Sequence, residues 1–304
     1  MDNILLPNWL IVFFIFIIGL CLGSFYNVVI LRSLSGESIV FPPSKCPKCG
    51  NRLKPWHNIP VISYIFLRGK CAFCNEKISI QYPIVELVTG ILFGLTYLKF
   101  GFNYITLLAL FSISCLIIMT GTDLKERLVD CNYAIAMAIV GLIYAFAVAG
   151  FDCFKDALFG ALLGFAIVEL IARSGYLLKK GRAMGEADSY VAGALGALVG
   201  YQDIWSILLY SLFAAMIFVL PQYWYQRYKA KDALILLLSS LFIISIALTT
   251  LFAGAAWTLV ILCITGFVLA FFVVKSIKES SNLTYLPFVP ALSAGFLYYI
   301  MFVL

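Results

Sequence analysis

From Trp9 to Ile30 the chain carries no charged residue, and runs of the same kind recur almost to its end. A stretch of about 20 apolar residues is long enough to cross the hydrocarbon core of a bilayer as an α-helix. Ten segments qualify, at roughly residues 9–31, 83–98, 103–121, 132–149, 156–174, 188–200, 204–221, 233–252, 254–274 and 285–303, the sixth being short. Composition agrees, with 63% apolar and 12% charged residues against about 25% charged in soluble domains. The first run has no basic flank and no small-residue cleavage site, so it reads as a retained span rather than a signal peptide.

One long polar stretch, residues 32–82, breaks this pattern. It holds eight of the 21 basic residues, the only histidine and two Cys-x-x-Cys pairs, Cys46/Cys49 and Cys71/Cys74. If this loop is cytoplasmic, loops alternate so that every basic residue except Lys99 and Lys155 faces the cytoplasm, as the positive-inside rule requires. Both termini then lie outside. The basic residues thus cluster at helix ends and are no sign of nucleic-acid binding. The expected fold is an all-α polytopic membrane protein of about ten transmembrane helices, with a small cytoplasmic zinc-ribbon-like loop after the first.

Of the nine cysteines, Cys21, Cys115 and Cys263 lie in apolar spans and Cys131 and Cys153 near span ends. Only the loop cysteines have metal spacing. Gly50 and Asn75 follow the second cysteine of each pair, where the turn needs a positive φ. Four thiolates suit tetrahedral Zn²⁺, and a closed four-ligand site leaves no position for substrate, so its role reads as structural. A disulfide framework is the alternative, and a reducing cytoplasm argues against it. His57, the lone imidazole, reads as a packed loop residue.

Two carboxylates return to the cytoplasmic face by topology. Asp123 ends the third span and Asp188 begins the sixth, with one helical hairpin between them. Such a pair can share one proton, one member acting as base toward water and the other as acid. The bland reading makes Asp123 a helix-end charge and Asp188 a cap, and Asp130 and Glu186 compete for either place. Glu86 and Glu169 fall within apolar segments, as functional positions or as structural hydrogen-bond partners. Gly160/Gly164 and Gly196/Gly200, spaced by four, allow close helix contact. Gly175, Gly181 and Gly185 suggest a mobile loop over 175–187.

These residues resemble a known family, the type IV prepilin peptidases, bifunctional membrane aspartic proteases that also N-methylate their products. The resemblance is carried by Gly23-Ser24-Phe25-Tyr26-Asn27-Val28-Val29-Ile30-Leu31-Arg32, by Pro43-Ser44-Lys45-Cys46-Pro47-Lys48-Cys49-Gly50 continuing through Asn58-Ile59-Pro60-Val61-Ile62-Ser63, by Leu67-Arg68-Gly69-Lys70-Cys71-Ala72-Phe73-Cys74, and by Ile78-Ser79-Ile80-Gln81-Tyr82-Pro83-Ile84-Val85-Glu86-Leu87. The family's GxGD motif stands here as Gly185-Glu186-Ala187-Asp188, with Ala in place of the second Gly. No proline precedes Asp130, where the family has a Pro-Asp pair. Pro287-Phe288-Val289-Pro290 resembles the start of the family's last span.

The resemblance implies an organisation of 1–31 as the first helix, 32–82 as a four-cysteine zinc loop associated with methyl transfer, 83–220 as the protease core, 221–275 as a two-helix insertion, and 276–304 as the last helix. It implies Asp123 and Asp188 as the catalytic pair, structural Zn²⁺ on Cys46, Cys49, Cys71 and Cys74, and S-adenosyl-L-methionine as methyl donor with Glu86 as a candidate contact. Substrates would be prepilins or pseudopilins with a short basic leader ending in Gly, met at the cytoplasmic face of a bacterial inner membrane. The partners would be membrane lipid and the pilus or secretion machinery. Two other classes stay open: a transporter or channel with a zinc-bearing regulatory loop, resting on Glu169 and the extra spans, and a structural partner of a pilus or secretion machine.

Overall fold

A computed structural model describes residues 7–179, 184–229, 237–241, 288–304 and the single residues 244, 261, 264 and 268. Among these there is no strand, only two isolated antiparallel bridges in the cysteine loop. The helices are α1 (Asn8–Ser35), a short α2 (Ile62–Phe66), α3 (Gln81–Phe100), α4 (Tyr104–Glu126), α5 (Cys131–Tyr144), α6 (Phe151–Lys179), α7 (Glu186–Val199), α8 (Ile204–Lys229) and, after the segment that is not described, α9 (Val289–Tyr298). π-helical turns extend α5 over Ala145–Ala149 and α9 over Tyr299–Val303.

Among the described residues, five helical segments are long and apolar enough to cross a bilayer: Asn8–Ser35, Gln81–Phe100, Tyr104–Glu126, Cys131–Val148 and Phe151–Ser174. Ile204–Ala215 and Val289–Val303 are shorter apolar helices. The expected segment 188–200 corresponds to α7, whose 14 residues give about 21 Å, short of a hydrocarbon core of about 30 Å. Its run from Val191 to Ala197 is buried throughout, which marks a helix enclosed by neighbours rather than one facing lipid. Of the expected spans 233–252 and 254–274 only residues 237–241, 244, 261, 264 and 268 are described, all helical, and the rest lies outside the described residues. The expected loop 175–187 is shorter than the glycine content suggested, because α6 runs on through Gly175 to Lys179. A single glycine costs a helix about 1 kcal/mol and does not by itself stop it.

Helix ends have local causes. Asn103 caps α4 by accepting from Thr106 N–H at 2.8 Å. Asp130 caps α5 by accepting from Asn132 N–H at 2.9 Å, so this carboxylate has a structural task. Gly36 ends α1 in the left-handed conformation, φ 67°.

α1 and α3 run antiparallel and nearly in backbone contact. A Cβ on Gly19 would meet Gly90 Cα at 2.8 Å, and one on Gly23 would meet Glu86 Cα at 2.7 Å. The expected four-residue glycine spacing works the same way between α6 and α7: Gly160 lies against Gly196 and Gly200, and Gly164 against Ala192. Gly196→Leu is therefore expected to force these helices apart at a cost of about 1–3 kcal/mol or more, read as a lowered melting temperature in detergent. Around this seam α4, α5, α7, α8 and α9 share a core that includes Ile113, Met119, Met137, Val191, Leu195, Ile207, Val289 and Leu292, all fully buried. Outward faces carry Phe13, Ile18, Leu107 and Ile139, all exposed, as a lipid solvent requires.

Candidate active site and metal centre

The two cysteine pairs form matching knuckles. Cys46 N–H donates to Asn51 C=O (3.0 Å) and Gly50 N–H to Cys46 C=O (2.9 Å). Cys71 N–H donates to Glu76 C=O (2.8 Å) and Asn75 N–H to Cys71 C=O (3.0 Å), the same two bonds in the second turn. Gly50 and Asn75 take φ 71° and 57°, as the sequence indicated. Bridges Lys45–Arg52 and Lys70–Lys77 close the knuckles.

The four Sγ atoms lie within 4.8 Å of one another, with Cys46 and Cys74 at 3.9 Å. A tetrahedral centre with Zn–S near 2.3 Å sets sulfurs about 3.8 Å apart, so the donor set and its spacing fit such an ion. Backbone N–H groups of Phe73 and Cys74 lower the Cys71 thiol to about 7. At Cys74 the Glu76 N–H acts in the same direction, but desolvation and hydrogen bonds to the other three sulfurs outweigh it and push the thiol up to about 12. Four sulfurs this close hold four negative charges only with a cation among them. His57 is outside this group; its ring packs edge-on against Trp56 (6.0 Å) and Phe73 (5.5 Å).

Glu86 is buried, and its Oε2 accepts from the Val61 N–H at 2.7 Å. Ser24 on α1 lies close to this carboxylate. Val61 has φ 59° and ψ −48°, with Ile62 N–H bonded back to Pro60 C=O. This is a γ-turn that costs a β-branched residue strain and persists only when its surroundings hold it. Glu86 therefore joins α1, α3 and the cysteine loop. Beside it Asn27, fully buried, donates to Gly23 C=O and Tyr82 C=O, both at 3.2 Å. Glu86→Ala strands the Val61 amide and is expected to destabilise the protein by about 1–3 kcal/mol, measured by thermal melting in detergent, with Glu86→Gln milder. The contacts at Ser24 and Val61 escaped sequence reasoning, because each joins positions far apart in the chain.

Asp123 sits in the last turn of α4 and is 6% exposed. The Val289 N–H at the start of α9 lies near the Asp123 carboxylate, while Oδ2 is buried with no partner. The Thr120–Ser293 hydroxyl contact, 2.9 Å, ties α4 to α9 one turn away. Asp188 is the third residue of α7 and is 4% exposed; its Oδ2 accepts from Gly185 N–H at 2.9 Å. So the Gly185-Glu186-Ala187-Asp188 stretch is a helix start in which the aspartate bonds back to the first glycine.

Both carboxylates stand at one end of the bundle. The α5–α6 pair carries the chain away and back, Glu186 lies beside Cys131 at the start of α5, and Met119 and Val191, near Asp123 and Asp188 on their helices, share one core with Val289. α1 delivers the cysteine loop to the same end, since Ile30 packs on Gly121, two residues before Asp123. Glu169 is occupied, by Arg173 at 2.7 Å and Ser189 at 2.8 Å. Those contacts make it a strut between α6 and α7.

Residues 17–100 match the bacterial Peptidase A24 N-terminal domain, and residues 110–220 match the type IV leader peptidase family. Proteins called prepilin leader peptidase/N-methyltransferase are similar to the chain. That of Neisseria gonorrhoeae is 36% identical over 208 residues, 60% of this chain and 72% of the relative. That of Pseudomonas aeruginosa is 33% identical over 234 residues, 67% and 78% respectively. The chain belongs to the type IV leader peptidase family. Another member, from Myxococcus xanthus, is 37% identical over 65% of this chain and 59% of its own length. No solved structure matches the chain. The leader peptidase match ends at residue 220, where the segment 221–275 begins. The first match ends with α3 and the second begins within α4, so the cysteine loop and Glu86 fall in one and both aspartates in the other.

Proposed function

We propose that this leader peptidase family member cleaves the short basic leader of a type IV prepilin or pseudopilin and methylates the new N-terminus, with Asp123 and Asp188 as its catalytic pair. Beyond membership of the family, the observation that carries the reading is the buried, unpartnered Oδ2 of Asp123 at the bundle end where Asp188 opens α7. An acceptor left without a partner in a protein interior is costly and marks a place where water or substrate docks. One carboxylate, ionised, takes a proton from water as it attacks the scissile carbonyl. The other, protonated, delivers its proton to the carbonyl oxygen. As the tetrahedral diol collapses, the first passes the proton it took from water to the leaving amine, and the second recovers its own from a diol hydroxyl. The bundle end faces the cytoplasm of a bacterial inner membrane, so a leader in water and an apolar helix in the bilayer bring the scissile bond to the interface.

S-adenosyl-L-methionine would supply the methyl group to the new N-terminal amine. Glu86, beside Ser24 and Asn27 where the cysteine loop meets α1 and α3, is the contact we favour for that half. Its Oε2 is engaged by the Val61 amide. Cys46, Cys49, Cys71 and Cys74 hold Zn²⁺ in a structural role. The units are 1–31, 32–82, 83–220, 221–275 and 276–304, with about ten crossings once the short, enclosed α7 and the two in 221–275 are counted. Pilus or secretion machinery supplies the setting. A transporter reading loses its main support, because Glu169 is engaged by Arg173 and Ser189.

Incubating the purified protein with a cognate prepilin tests both activities. The expected result is loss of the leader, with about 14 Da added to the mature N-terminus only when S-adenosyl-L-methionine is present. An intact prepilin would refute the protease, and an unmodified N-terminus the methyltransferase.

A further inference from the structure

We propose that residues 61–70 form an interfacial wedge that seats the cysteine loop on an anionic phospholipid surface. This rests on the chain spanning a bilayer and is independent of the protease chemistry.

The depth of the segment is fixed by one hydrogen bond. Val61 N–H meets Glu86 Oε2 at 2.7 Å, and Glu86 lies a turn and a half inside α3, a helix of 20 residues. Such a helix measures about 30 Å, the thickness of the hydrocarbon core. The turn at Val61 is thereby held at the edge of that core, where the surroundings are acyl chains and headgroups rather than free water. The helix that follows, α2, turns Ile62, Ile65 and Phe66 outward, at 50%, 67% and 83% exposure. Three large apolar side chains on a five-residue helix would be unfavourable in water, and they gain by entering the acyl boundary.

Behind this tip the chain reverses. Tyr64 packs inward on Gly69, and Arg68 and Gly69 take φ 52° and 68°. The reversal brings Arg68 and Lys70, both exposed, directly after the apolar tip, at the height of lipid phosphates. Basic side chains next to buried apolar ones are the pattern of a surface-lying membrane element. Their setting reinforces it, since residues 32–82 hold eight basic residues against only Glu37 and Glu76. That charge is complementary to an anionic leaflet and repels the other candidate occupant, a basic leader peptide. The wedge is also continuous with the second knuckle, through Lys70 N–H to Leu67 C=O (3.0 Å) and Ile78 N–H to Gly69 C=O (2.8 Å). Lipid contact therefore sets the height of the four sulfurs above the membrane.

The test is hydrogen exchange of the 61–70 peptide in the full-length protein, reconstituted in nanodiscs of phosphatidylcholine alone or with phosphatidylglycerol. The wedge predicts exchange about tenfold slower in the anionic discs, the gain vanishing in an Arg68→Gln/Lys70→Gln variant and in high salt. Phe66→Asp should abolish protection in both discs while melting like wild type in detergent. Equal exchange in both lipids overturns the proposal, as does protection that appears only when a prepilin is added, which would give this face to substrate. Failure of the chain to enter discs at all would refute the membrane reading itself.

Discussion

Asp123→Asn and Asp188→Asn should each reduce prepilin cleavage by roughly a thousandfold or more, the scale of a lost general acid or base. Both variants should still insert in the membrane. Asparagine has the shape of aspartate but neither takes a proton from water nor delivers one. At position 188 its amide oxygen can still accept from Gly185 N–H, so α7 keeps its start. At position 123 the new NH₂ group enters a buried site whose Oδ2 has no partner, and an unsatisfied donor costs about 1–3 kcal/mol. Asp123→Asn should therefore melt lower than Asp188→Asn while both are inactive. Mass spectrometry of the prepilin and thermal melts in detergent separate the two effects. Full cleavage by either variant would remove that residue from the catalytic pair, and full cleavage by Asp130→Asn is expected because Asp130 only caps α5.

Replacing Cys46 and Cys49 by serine should take bound metal from about one ion per chain to none and render residues 32–82 sensitive to proteolysis. Structural zinc sites contribute on the order of 10 kcal/mol to the folding of small domains, more than the few bonds inside either knuckle can replace. Metal analysis and limited proteolysis read the result. Because four sulfurs close the coordination shell, the ion is expected to hold the loop together rather than to touch substrate. A wild-type protein free of metal would refute this role.

How much of this was legible in the sequence depends on how local each feature is. The knuckles were, because Gly50 and Asn75 answer a backbone need one residue from a cysteine. So was the α6–α7 seam, since Gly160/Gly164 and Gly196/Gly200 repeat at the helical period. The common location of Asp123 and Asp188 followed from counting spans. What stayed hidden was non-local: Val61 on Glu86, Ser24 close to the same carboxylate, Ser189 on Glu169, and the Val289 amide near Asp123. Each joins residues whose neighbours in the chain give no hint of the partner. The length of α7 was visible as a short run, yet only packing explains why so short a helix is stable: its neighbours, not lipid, cover it.

The contact between α1 and α3 also bears on how this protein assembles. The two helices meet at Gly19, Gly23, Glu86 and Gly90, but a connection from Gly36 to Ile80 separates them. An open connection of that length adds a closure entropy that must be met before the glycines touch. The four sulfurs gather its middle into a compact unit, and Glu86 then fastens that unit through Val61 to the helix about to dock. The soluble loop is in this sense the turn of a very large helical hairpin, and its folding brings the second arm of that hairpin within reach of the first.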